Sequence, residues 1–425
     1  MRHRLLAPFK GDRAIWVIFL ALAIISLISV FSSIGYTAIS THSTPERAFI
    51  RHLIFVIMTF VMVILLSNID YRHYSKASWF GYILSISLLA LALIIGHAEN
   101  ESGSGMSRWI NIPYLGSFQP SELAKIVIVI YLARLLAQER DHLGEWETFR
   151  KILVPILIIV GLVVFENLSM AVIIFFVCFA MLRIAPIPAS MWRKTVVAII
   201  LVGVLAIFVG NKMEISFLSR SGTWAGRIDR WLHFDQDELT QEGMARMAVA
   251  SGRFIGVGVG STIQARLMTQ ANNDLIYAII IEEAGMLGGI AVFMLYLWLY
   301  IRCIKIAWRC KSIFARMSVV GLGTLIFLQA AIHMSVSVGA LPVTGQTLPF
   351  VSSGGSSYLC MGLAIGVIQS IAYDVDKREQ KERKEAKRTE ETTETVRYGS
   401  DSARSAEAKR SEEITETETD KPEIQ

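Results

Sequence analysis

Apolar residues fill the first 375 positions in long blocks, at 14–34, 52–67, 78–96, 122–138, 150–165, 168–185, 195–210, 275–301, 317–338 and 357–374. A helix needs about 20 apolar residues to cross hydrocarbon about 30 Å thick. The pattern therefore predicts an all-α polytopic membrane protein with ten transmembrane helices. The stretch 150–185 overruns a single crossing at the helical rise of about 1.5 Å per residue, and Glu166-Asn167 interrupts it where a tight turn fits. Two spans there also make sense of the charges. With the N- and C-termini cytoplasmic, the basic residues from Arg2 to Arg13, Arg140 to Lys151 and Arg302 to Arg316 all fall inside, and the short outer loops hold only Arg47, Arg51 and Arg108. That is the asymmetry of the positive-inside rule; a single span would turn Arg302 to Arg316 outward.

Three segments break the rhythm. Residues 211–274 form a large extracytoplasmic loop between helices 7 and 8, long enough to cross regardless of charge. Residues 339–356 are rich in Gly, Pro, Ser and Thr with almost no charge, and read as a re-entrant outer loop lining a cavity, or else as a plain turn. Residues 376–425 are Lys, Glu, Thr and Ser with few apolar positions, a composition that predicts a disordered cytoplasmic tail. The membrane domain is thus 1–375.

Composition sharpens this reading. Hydrophobic residues make up 53% of the 425 and charged residues 18%, against about a quarter charged in soluble domains, which excludes a soluble globular enzyme. The four cysteines form no CxxC pair and the eight histidines no HExxH set, so neither a disulfide framework nor a zinc site is expected. The net charge of +5 reports orientation and not a nucleic-acid partner.

Few residues can carry chemistry. Asp274 precedes the eighth span, where partial desolvation raises a carboxyl pKa and suits it to take a proton; the plainer reading is a helix N-cap. Glu282 and Glu283 lie further along the same helix, as proton-relay groups or as structural partners of a buried cation. Glu122 and Lys125, at i and i+3 in the fourth span, can pair, either buried or with the lysine snorkelling to the interface. The run from Gly252 to Ser261 lacks the context of a dinucleotide fold. Its glycines permit tight turns or close approach, and with Arg227, Arg230 and Arg253 it can cradle a pyrophosphate.

These blocks, in this order, resemble the SEDS family (shape, elongation, division and sporulation). They are Gly105-Met106-Ser107-Arg108-Trp109, Gln119-Pro120-Ser121-Glu122 with Lys125, the Ser251 to Ser261 glycine run, Asn273-Asp274-Leu275-Ile276-Tyr277 with Glu282-Glu283, and Leu341-Pro342 through Gly354-Gly355-Ser356-Ser357. The start Phe9-Lys10-Gly11-Asp12-Arg13 leans to the division (FtsW-like) branch over the RodA-like one. Glu166-Asn167-Leu168-Ser169 departs from a Pro-Asp-Leu-Gly-like turn, His333 stands where Asn is common, Ser353 replaces an aromatic, and Arg253 takes a place often held by Gly. The resemblance implies a peptidoglycan glycosyltransferase that polymerises lipid II in the bacterial inner membrane at the division septum. It also implies a class B penicillin-binding protein as partner, alongside other divisome membrane proteins. The family's essential Asp falls on Asp274 and its Glu/Lys pair on Glu122 and Lys125, with Arg108, Glu282, Glu283 and Ser356 as supporting residues. No cofactor is implied, although a divalent cation (Mg or Mn) is a candidate aid to the leaving group. A lipid II flippase, favoured by the acids at depth, and a non-catalytic division scaffold remain the alternatives.

Overall fold

Asp12 starts the first helix: its Oδ1 accepts from the backbone N–H groups of Ala14 (2.8 Å) and Ile15 (3.2 Å), the bonding of an N-cap. The computed structural model describes residues 9–40, 45–100, 110–112, 116–185, 231, 241–262 and 274–419. Its helices are α1 (Arg13–Ser40), α2 (Pro45–Ser67), α3 (Tyr71–Asn100), α4 (Pro120–Gln138), α5 (Trp146–Glu166), α6 (Leu168–Ile184), α7 (Gln241–Gly252), α8 (Ile276–Arg309), α9 (Ile313–Ser337) and α10 (Gly355–Thr419). A small antiparallel hairpin, β1 (Ile110–Ile112) and β2 (Gly116–Phe118), leads into α4. Nine of the expected spans fall on α1 to α6 and α8 to α10; the one at 195–210 lies outside the described residues. The stretch 150–185 is two helices. Asn167 is extended between them (φ −155°, ψ 102°), and its side chain accepts from the Met170 N–H.

Helix α9 packs against α8, α4 and α6, while α8 also meets α1 and α7. Crowding explains Gly321 in α9: a Cβ there would sit 2.5 Å from the Met181 sulfur and 2.6 Å from Val129. The outer faces are apolar and exposed, for example Ile50, Ile54, Ile57, Val61 and Leu65 on α2. That stripe is the inverse of a soluble helix and fits lipid. At the arginine-rich end, Asp12 pairs with Arg302 of α8, and its backbone N–H and C=O bond the Gln369 carboxamide of α10 at 2.8 and 3.1 Å. All four cysteines are buried, and none of them forms a disulfide.

Helix α8 is broken at Gly285, whose φ of 72° and ψ of −175° lie outside helical space. Freed amides and carbonyls among apolar helices must be bonded by the protein itself, and the turn after α7 does this. Met286 N–H donates to Arg253 O (2.9 Å) and Leu287 N–H to Phe254 O (3.4 Å), while Val257 and Gly258 N–H groups donate to Glu282 O (2.9 Å) and Glu283 O (3.0 Å). Such backbone contact requires the absence of side chains: a Cβ at Gly252 or Gly256 would fall about 2 Å from the carbonyl oxygens of Ile281 or Glu283. The glycine run is therefore a patch on a broken helix.

The segment expected to be a disordered tail is helical as far as Thr419. Lys, Arg, Glu and Ala are strong helix formers, and i,i+4 contacts join Arg378 to Glu382 (3.6 Å) and Lys381 to Glu385 (3.7 Å). By its internal contacts the chain divides into two units, Met1–Tyr373 and Asp374–Gln425.

Gly256→Ala places a Cβ against a carbonyl and strains a φ of 88°. A loss of about 3 kcal/mol or more is expected, read as a lower thermal unfolding midpoint of the detergent-solubilised protein.

Candidate active site

Pro120 opens α4 with Glu122 in its first turn, as helix starts prefer. The same turn carries charge into the bundle. Lys125 is wholly buried and Glu122 is 3% exposed, with Nζ 2.7 Å from a Glu122 carboxylate oxygen. The lysine does not snorkel to water. It also donates to Gln329 Oε1 of α9 at 2.8 Å. An isolated ammonium in such a place would cost several kcal/mol, and the two oxygens offset that cost. Beside it, Gln119 Nε2 donates to Ser121 Oγ (3.0 Å), which donates to Glu166 Oε1 (3.0 Å). The displaced acid of the α5–α6 turn thus joins the same buried cluster.

Between α9 and α10 the chain leaves helical form and goes into the bundle: Gln346 and Leu348 to Ser352 are buried. Its carbonyls are met by side chains of the spans. Gln329 Nε2 donates to Thr347 O (2.8 Å), Tyr296 OH to Pro349 O, and Ser26 Oγ to Val351 O (2.8 Å). Within the loop, Leu348 N–H donates to Ser352 Oγ (2.8 Å), and the Thr347 and Ser357 hydroxyls share a bond of 2.8 Å. Phe350, at a φ of 63°, packs edge-on to Phe19 and Tyr358. The Gln346 carboxamide and Ser356 Oγ are buried with no hydrogen-bond partner among the described residues, at a cost of about 1–3 kcal/mol for each group.

This loop brings Gly345 beside Asp274. A Cβ on Gly345 would lie 3.6 Å from Asp274 Oδ2, and its φ of +66° suits glycine. Asp274 is half-buried. It is not the N-cap of α8, since that position is Leu275 and no side chain caps it. The carboxylate therefore stands at the head of α8, beside the glycine of the inward loop.

Glu282 and Glu283, at the end of the first half of α8, hold the patching turn: Thr262 Oγ1 donates to Glu282 and the Gly260 N–H to Glu283 Oε1 (3.0 Å). Arg253 is exposed at that turn (φ 46°), its carbonyl on the break, eleven or more residues of α8 from Asp274. Arg108, Arg227 and Arg230 lie outside the described residues. Arg246 of α7, which the motifs did not single out, donates to Gly339 O (3.4 Å), and Trp231 Nε1 donates to the same oxygen (3.1 Å). Burial draws the Arg246 guanidinium below its usual range, opposed by Glu242. Gln329 and Tyr296 were also missed, though a glutamine inside an apolar run is a readable signal. Among the described residues no group of three or more His, Cys, Asp or Glu is placed to hold a metal ion.

Known proteins share this organisation. The family model for the cell cycle proteins FtsW, RodA and SpoVE matches residues 12–377. The probable peptidoglycan glycosyltransferase FtsW of Coxiella burnetii is 29% identical over 88% of this chain and 100% of its own length. Its namesake in Halomonas elongata is 30% identical over 85% and 90%. Among solved structures, a chain from a peptidoglycan synthase complex that coordinates polymerization and crosslinking superposes with a TM-score of 0.65, at 21% identity over 86% of this chain and 98% of that one. The Thermus thermophilus rod shape determining protein RodA gives 0.60, at 20% identity over 86% and 97%.

Lys125→Met leaves the Glu122 carboxylate buried without its cation and is expected to destabilise the bundle by about 3–5 kcal/mol. Adding Glu122→Gln should restore much of that loss. Thermal unfolding of the two single variants and the double variant checks the coupling, and additive effects would show that the ion pair is energetically idle.

Proposed function

Because this chain belongs to the FtsW/RodA/SpoVE family of cell cycle proteins, we propose that it is a peptidoglycan glycosyltransferase polymerising lipid II into β-1,4 glycan strands during cell division. The observation that carries the reading is the half-buried Asp274 carboxylate at the head of α8, facing Gly345 of the inward loop. One lipid-linked sugar offers its 4-hydroxyl to the anomeric carbon of another. As the new C–O bond forms, the α-linked pyrophosphate leaves with the bonding electrons, and the configuration inverts. Asp274 takes the hydroxyl proton, a contribution of about 10²–10⁴ in rate for a well-placed general base. Negative charge grows on the departing pyrophosphate, and Arg227, Arg230 and Arg253 are the cations proposed to stabilise it.

In this reading Asp274 faces the outside of the inner membrane and the Arg302 end faces the cytoplasm, as the distribution of basic residues requires. The polyprenyl tail stays in lipid. Phe254, Ile255 and Val259, each more than 60% exposed on the patching turn, provide apolar surface near the Asp274 end of α8. Glu122, Lys125, Glu282, Glu283 and Ser356 support the site by holding the helices and loops around it, with Arg108 assigned to the same end. A class B penicillin-binding protein is the proposed partner, supported by the likeness to a chain from a peptidoglycan synthase complex. Septal localisation and contacts with other divisome membrane proteins follow from the division role.

Purified protein, lipid II and the partner transpeptidase test this directly. Wild type is expected to form glycan, whereas Asp274→Asn should lose about 10²-fold or more of the rate at an unchanged unfolding midpoint. Glycan formation by Asp274→Asn at the wild-type rate would overturn the assignment.

A further inference from the structure

The buried pair in α4 and the Asp274 carboxylate belong to different elements, yet a short chain of hydrogen bonds leads from one towards the other. We propose that Gln329 is a positioning residue: held in one orientation by Lys125, it pins the Thr347 carbonyl and so fixes the wall beside Asp274. The inference rests on the glycosyltransferase reading for its functional consequence, but the positioning itself is independent of it.

The argument turns on the two unlike ends of a carboxamide. An ammonium can only donate, and a backbone carbonyl can only accept. Lys125 Nζ lies 2.8 Å from Gln329 Oε1, so the oxygen is turned to the lysine and the NH₂ group to Thr347 O, also at 2.8 Å. A flipped amide would set N–H against the ammonium and oxygen against oxygen. Lys125 therefore decides which way Gln329 points, and Glu122, 2.7 Å from Nζ, holds Lys125 in place. Both Lys125 and Gln329 are wholly buried, so water does not compete for either bond. Thr347 is two residues from Gly345, the residue beside Asp274 Oδ2. Tyr296 and Ser26 hold the loop further along, at Pro349 and Val351, whereas Gln329 holds the limb that carries Gly345. This limb has no helical bonds to keep its shape, and buried Gln346 without a partner already weighs against it. Misplacing a reacting group by about 1 Å can cost about a hundredfold in rate, so a small movement of the wall has a large consequence.

Two variants of the full-length protein in lipid nanodiscs separate positioning from plain stability. Gln329→Glu, studied at pH 8, keeps an oxygen for Lys125 but removes the N–H donor to Thr347; Gln329→Met removes both bonds at similar volume. In Gln329→Glu, amide hydrogen exchange across 340–354 is expected to quicken about tenfold, as for loss of a protecting interaction, with α1 and α2 unchanged and the unfolding midpoint retained. With lipid II and the partner transpeptidase, kcat should fall about a hundredfold while KM stays near the wild-type value. Gln329→Met should show the same loop signature. Wild-type exchange at 340–354 in both variants would overturn the proposal. So would faster exchange spread evenly through the bundle with a lowered midpoint, which marks a general packing role. If wild type makes no glycan, the glycosyltransferase reading fails, and the exchange data alone still decide whether Gln329 positions the loop.

Discussion

Backbone that leaves helical form among apolar helices has to find hydrogen-bond partners within the protein, and two irregular segments among the described residues are shaped by that demand. At Gly285 the partners are other backbone groups, supplied by a turn whose glycines let it come within bonding distance of a broken helix. In the 338–354 segment they are side chains projected from three spans, with Gln329, Tyr296 and Ser26 each taking one carbonyl. The two solutions have different mechanical characters. A backbone patch depends on the shape of the chain, while a side-chain anchor depends on the identity and orientation of single residues. The half-buried carboxylate at the head of α8 lies against the second of these, beside Gly345.

Much of the fold was legible because its determinants are local in sequence. A span is a run of apolar residues long enough to cross hydrocarbon, and the Asn167 turn announced itself as a polar interruption in one. The Glu122–Lys125 pair was legible for the same reason, since i,i+3 spacing puts both side chains on one face. Burial was not legible. Whether Lys125 reaches water or Gln329 depends on how α4 and α9 pack, which neither segment encodes alone. The glycine run shows the limit well. Its composition announced close approach, but the object approached, a helix interrupted twenty-five to thirty residues later, was a tertiary fact. The charged tail lacks the apolar residues of a packed core, yet it is rich in helix formers, and i,i+4 ion pairs join its first turns.

The placement of charge divides the molecule into two kinds of acid. Glu122 and Glu166 are sunk among helices and satisfied by Lys125 and Ser121, and Glu282 and Glu283 are bonded to the turn they secure. Such carboxylates organise structure. Asp274 is half-buried, at the head of a helix it does not cap, beside a residue without a side chain. An acid with that exposure can exchange a proton with something outside the protein, which the others are poorly placed to do.

The burial of Cys178, Cys303, Cys310 and Cys360 has a practical consequence. Thiol-reactive probes attack an accessible thiolate, so the native sequence already presents a quiet background. A single cysteine introduced at an exposed position such as Val259 would be the accessible labelling site of the bundle. A membrane-impermeant maleimide added to right-side-out or inverted vesicles could then report sidedness without first stripping the natural sulfhydryls.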